Sequence, residues 1–123
     1  LTHPLYLHAR ALSDLGLALS SHIEFCYGDL IQEGRVPLHF EIAEAMKADV
    51  CLIRKGAAAV TRERSLKKSN STLKFLRILS RNLLSYCNGL EHHGLKEREY
   101  VHLLRKEIRL YRRALRTWAL SLN

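Results

Sequence analysis

The sequence predicts an all-α protein, an antiparallel up-down four-helix bundle forming one domain over residues 1–123, and three observations carry that expectation. The chain is 47% hydrophobic but only 7% aromatic, and its richness in Leu, Ala, Arg and Glu favours helix over sheet. Apolar residues recur at steps of three and four in four successive segments. Two prolines and six glycines are few enough to leave those segments long. A chain of 123 residues suits a single core and is too short for two ordinary domains.

The first segment runs from about Pro4 to Tyr27, with Leu5, Leu12, Leu15, Leu19, Ile23 and Cys26 on one face. Pro4 fits an early helical position, where a missing N–H costs nothing. The stretch GDLIQEGRVP then breaks the pattern with Gly28, Gly34 and Pro37, and is expected to be irregular. The second helix spans Leu38 to Val60 through Phe40, Ile42, Met46, Val50 and Ile53, and ends in the run Ala57, Ala58, Ala59. Those alanines either admit a close neighbour or serve simply as good helix formers. A polar linker, TRERSLKKSN, offers Ser65, Ser69 and Ser71 as caps.

The third helix starts at Leu66 or Ser71 and reaches Leu90, with Leu73, Leu76, Leu79, Leu83, Tyr86 and Leu90 facing inward. Asn88, Gly89 and Gly94 in NGLEHHG are expected to close it. The fourth begins near Leu95. Its positions Val101, Leu104, Ile108, Tyr111, Leu115, Trp118 and Leu122 alternate steps of three and four, the spacing of a heptad seam.

Three cysteines, Cys26, Cys51 and Cys87, are spaced too widely for a zinc motif and are odd in number for a disulfide scaffold. They read as buried small hydrophobes in a reducing compartment. No apolar run approaches a membrane span, and LTHPLYLHAR lacks the parts of a signal peptide. The expectation is a cytoplasmic protein with no membrane partner; a start on Leu1 rather than methionine suggests that a few native residues precede it.

Seven histidines raise the question of metal or general-base chemistry. His92 and His93 sit in a turn beside Gly94, a setting in which adjacent histidines are usually solvated. Helical di-metal sites pair Glu-x-x-His motifs, and Glu24, Glu41 and Glu44 lack a histidine at that spacing. Glu41 suits the positive end of the second helix without any chemistry. No P-loop or nucleophile motif is present. The reading is therefore a non-enzyme with no cofactor and no metal.

Charge is the informative feature. Residues 1–53 hold three basic and seven acidic side chains, a balance of −4; residues 54–123 hold seventeen and five, a balance of +12, and together these give the net charge of +8. The stretch VHLLRKEIRLYRRALRTW carries six basic residues against Glu107 alone. Arg105, Arg109, Arg112 and Arg116 step by four, three and four, about 100° round from the seam, and Arg113 with Lys106 lies farther from the core. On the third helix Lys67, Lys74 and Arg81 repeat every seven residues with Arg77 beside them. Consecutive helices of an up-down bundle are neighbours, so the two strips are placed to merge.

A solvated helix face needs no such segregation, and unpaired like charges repel. A phosphate backbone would relieve that repulsion and release counterions. The candidate nucleic-acid-binding residues are Lys74, Arg77, Arg81, Arg105, Arg109, Arg112, Arg113 and Arg116. No RNP aromatic run, GXXG clamp, zinc finger or helix-turn-helix pattern accompanies them, so contacts should be backbone-directed and salt-sensitive.

The segments LKFLRILSRNL and HGLKEREYVHLLRKEIRLYRRALRTWALSL resemble the second half of the accessory variability determinants, small four-helix-bundle proteins of diversity-generating retroelements. The matching residues are Leu76 with Arg77, Gly94 with Leu95, Tyr100 with His102, Glu107 with Ile108, and Trp118. LSSHIEFC and EAMKADVCLIRKGAAA occupy the places of the first two helices. Arg116-Thr117 stands where that family often has a small Gly-containing pair, and GDLIQEGRVP lacks its Phe-Pro-Arg/Lys turn. The resemblance implies a non-catalytic partner of a reverse transcriptase, assembled as a pentameric homo-oligomer. Its basic surface would meet the polymerase and template-repeat RNA, and DNA during cDNA synthesis, in mutagenic retrohoming. The alternative reading is a structural or regulatory interaction module whose basic face meets an acidic protein or anionic lipid.

Overall fold

The computed structural model describes residues 3–34, 38–92 and 98–122. They form four helices: α1 (Pro4–Gln32), α2 (Leu38–Val60), α3 (Leu66–His92) and α4 (Arg98–Ser121), and there is no strand among the described residues. The protein is an all-α helical bundle. Packing closes a ring in which α1 meets α2 and α4 while α3 meets α2 and α4, and among the described residues neither diagonal pair of helices brings its backbones close together.

The residue pairs across each interface give its sense. Between α1 and α2, Tyr27 stacks on His39 at 5.2 Å and the Ser20 hydroxyl donates to the Ala43 carbonyl at 3.3 Å. Between α2 and α3, the Asp49 carboxylate accepts from the Tyr86 hydroxyl at 2.7 Å, and Gly56 lies against Leu76. Between α3 and α4, Arg105 reaches Asn88 and Glu91. Between α4 and α1, Tyr100 stacks on His22, Glu107 meets His8, and Trp118 meets His3. Rising numbers on one helix face falling numbers on the next at the α1–α2, α2–α3 and α4–α1 interfaces.

The heptad positions of α4 form the core wall. Val101, Leu104, Ile108, Tyr111, Leu115 and Trp118 are buried, and Leu122 is half-buried against them. Trp118 is both packed and satisfied, its indole Nε1 donating to the Val60 carbonyl at 3.0 Å. The Tyr111 phenol is fully buried, and desolvation raises its pKa. From α3, Leu73, Leu76, Leu79, Leu83, Cys87 and Leu90 point inward, and Tyr86 lies at the edge as a half-buried residue.

Several boundaries depart from the sequence pattern. α1 does not stop at Tyr27; Gly28 and the following DLIQ are helical. A glycine inside a helix costs only about 1 kcal/mol, and Tyr27 still packs on the core, so the pattern continues past it. Among the described residues the left-handed one is Gly34, at φ +78°. Arg35, Val36 and Pro37 lie outside the described residues. α3 takes the earlier of its two starts. The Ser65 hydroxyl accepts the Lys68 N–H at 3.4 Å as an N-cap, whereas Ser69 is buried.

Asn88 and Gly89 do not close α3, which runs on to His92. Gly89 is instead a close-approach position: a Cβ there would sit 2.9 Å from Ile42 Cδ1. Gly94 and Leu95, expected at the last turn and the start of the fourth helix, lie outside the described residues. The cysteine expectation fails for two of three. Cys87 is buried, but Cys26 and Cys51 are exposed, because they fall on the flanks of α1 and α2 rather than on the inward faces. Among the described residues, no helix is long and apolar enough to cross a membrane.

Candidate nucleic-acid interface

Because α3 and α4 are neighbours in the ring, the basic flanks of both helices border one groove. It has a volume of about 270 Å³ and is lined by Arg77, Ser80, Arg81, Arg112, Leu115 and Arg116. The two strips therefore meet. The floor is buried: Leu115 belongs to the heptad seam, and the Ser80 hydroxyl donates to the Arg77 carbonyl at 2.7 Å. All four arginines at the walls are exposed, and no carboxylate lines the groove among the described residues. A second concavity on the outer side of α4 is lined by Arg109, Arg112, Arg113 and Arg116 alone.

The electrostatic consequence follows from spacing. A single anion held about 4 Å from a guanidinium gains about 1 kcal/mol in a water-like dielectric and about 4 at an effective constant near 20. A groove walled by guanidiniums from two helices multiplies that gain without a desolvated carboxylate to compete. Glu107, the acidic residue within the arginine stretch, turns away to meet His8 Nδ1 on α1 at 2.7 Å.

Arg105 differs from its neighbours. Its Nε donates to Glu91 Oε1 at 2.9 Å, and Nη2 donates to Glu91 Oε2 at 3.0 Å and to Asn88 Oδ1 at 2.6 Å. The hydrogen bond from Arg105 holds the Glu91 carboxyl below its ordinary pKa, and the same contact raises that of Arg105. Of the eight candidate residues, then, Arg77, Arg81, Arg112 and Arg116 share the groove. Arg109 and Arg113 extend it over α4, Lys74 is exposed one turn before Arg77, and Arg105 is tied across the α3–α4 seam. Sequence reasoning did not find the partners Glu91 and Asn88, which lie 14 and 17 residues from Arg105 on another helix.

No group of three or more His, Cys, Asp or Glu side chains is placed to hold a metal ion among the described residues. Tyr111 and Trp118, the aromatic residues of the arginine stretch, are buried in the seam. The fold and site together define a basic four-helix bundle with an arginine-walled groove. Comparison with protein-family models, with curated proteins and with solved structures finds no match for this chain.

Proposed function

We propose that this protein binds nucleic acid non-catalytically, with the α3–α4 face gripping the phosphate backbone. The observation that carries the reading is the groove in which Arg77, Arg81, Arg112 and Arg116 converge from two helices with no acidic lining. Phosphate is the anion that fits a row of exposed guanidiniums, since each neutralised phosphate releases condensed counterions. Lys74, Arg109 and Arg113 extend the track on either side. In the finer form of this reading, the protein is an accessory factor that acts as a homo-oligomer beside a reverse transcriptase on template RNA and cDNA. That form rests on the resemblance of α3 and α4 to the accessory variability determinants.

The test is a salt titration of RNA binding. Arg112→Ala/Arg116→Ala is expected to weaken binding across unrelated sequences and to flatten the plot of log affinity against log salt by about one unit per lost contact. Unchanged affinity and slope in the double variant refute the reading. Reverse-transcriptase capture by the same pair of proteins then tests the finer form: the accessory role predicts retention by the wild type and loss by the variant.

A further inference from the structure

The basic strip of α3 is bordered on its outer side by apolar side chains that the core does not use. Ile78 is 53% exposed and Phe75 44% exposed. At 100° per residue, Arg81 leads to Ile78 and Ile78 to Phe75 in two 60° steps round the helix, and Lys74 lies 40° from Ile78. On a helix about 10 Å across, each 60° step is roughly 5 Å of arc and, over three residues, about 4.5 Å of rise, which puts Ile78 about 7 Å and Phe75 about 13 Å from Arg81. The sequence K74-F75-x-R77-I78-x-x-R81 thus sets a cationic track beside an apolar ridge, with Ile78 about one nucleotide and Phe75 about two from Arg81.

From this we infer that the site selects single-stranded nucleic acid, with the backbone in the α3–α4 groove and bases laid over Ile78 and Phe75. The inference rests on the nucleic-acid reading above and narrows its ligand. In a duplex the base faces are stacked on one another and covered, so an apolar ridge beside the phosphate track meets nothing it can bury against. In a single strand each base presents a face, and stacking on an aromatic ring is sequence-tolerant. Phe75 supplies the ring, and Ile78 supplies apolar surface between ring and cations. Isolated exposed apolar residues are ordinary on soluble proteins. Here the two adjoin each other and adjoin Lys74 and Arg81, which gives the occupant its charge.

The experiment compares wild type, Phe75→Ala, Phe75→Leu and Arg112→Ala/Arg116→Ala on a single-stranded RNA and on a duplex of the same length, with oligomeric mass recorded for each protein. Loss of one stacked base predicts that Phe75→Ala weakens single-strand binding by about fivefold or more, with duplex binding and the salt slope unchanged. Phe75→Leu should remain weakened, since it keeps apolar area but loses the ring. Equal effects on both ligands, or no effect on either, overturn the inference. A change in oligomeric mass without a change in RNA affinity also overturns it, and assigns the ridge to a protein contact. If the arginine pair leaves binding intact, the nucleic-acid reading itself fails, so the two failures are distinguishable.

Discussion

Arg105 and Arg112 are one heptad apart on the same flank of α4, and the sequence pattern treats them alike. Their surroundings differ. Arg105 makes three hydrogen bonds to Glu91 and Asn88, whereas Arg112 is exposed and lines the groove. Truncating each to alanine should therefore produce opposite profiles. Arg105→Ala removes a charge pair at a partly exposed seam, which after screening and side-chain ordering costs about 0.2–1 kcal/mol. RNA affinity and salt slope should stay near wild type, because that guanidinium is already engaged.

Arg112→Ala removes no contact that holds the fold and relieves repulsion from Arg116, so stability should stay within about 0.5 kcal/mol of wild type. Its RNA salt slope should fall by about 0.7–0.9 of a unit, the share of one phosphate contact. Urea midpoints read the first quantity and fluorescence anisotropy across a salt series reads the second. If Arg105→Ala flattens the slope as much as Arg112→Ala does, the distinction between tied and free arginines is wrong. If both variants lose stability equally, Arg112 has a structural role that the geometry does not give it.

Other consequences follow from buried and half-buried polar groups. Burial, with the hydrogen bond to Asp49 second, pushes the Tyr86 phenol up to about 12 from 10.0, and burial pushes the Cys87 thiol up to about 11 from 9.0. A raised pKa means that the folded state favours the protonated form. The stabilisation is present below the unfolded value and is lost as pH rises through the folded one. Urea midpoints should accordingly decline between pH 9 and 11 for Cys87 and between 10 and 12 for Tyr86. Tyr86→Phe should lessen the later decline and leave the part that the buried Tyr111 contributes, and an unaltered profile would contradict the assignment. Trp118→Phe leaves the Val60 carbonyl with only the weaker bond from Glu63 N at 3.3 Å. It should lower stability by about 1–2 kcal/mol, read by thermal or urea melts; a loss below a few tenths would show that the indole bond contributes little.

Much of the bundle is legible in the sequence because long amphipathic helices repeat their signal. The α4 seam from Val101 to Trp118 is buried position by position, and α2 occupies Leu38–Val60. Misreadings cluster at glycines. Gly28 and Gly89 are stop signals by composition, yet both lie inside helices, since one glycine costs less than the tertiary contacts of the turn it interrupts. Gly89 makes room for Ile42, and Gly56 for Leu76, and such inter-helix needs leave no local trace.

The site was half visible for a related reason. Periodicity placed Arg112 and Arg116 on one flank of α4, and Arg77 and Arg81 on one flank of α3. That they face each other depends on the order of helices in the ring, and that Arg105 is tied depends on Glu91 in a different helix. Local spacing carries neither fact. The exposure of Cys26 and Cys51 was missed because a cysteine's apolar character says nothing about which face it occupies.

The measurement that tests the central claim most directly is the salt dependence of single-stranded RNA binding by wild type and by a variant with Arg77, Arg81, Arg112 and Arg116 all changed to alanine. Four lost contacts at about 0.7 each predict a slope difference of about 3 units, with helicity and urea midpoint preserved. A wild type that fails to bind at low salt, or a variant that keeps the wild-type slope, would contradict the account.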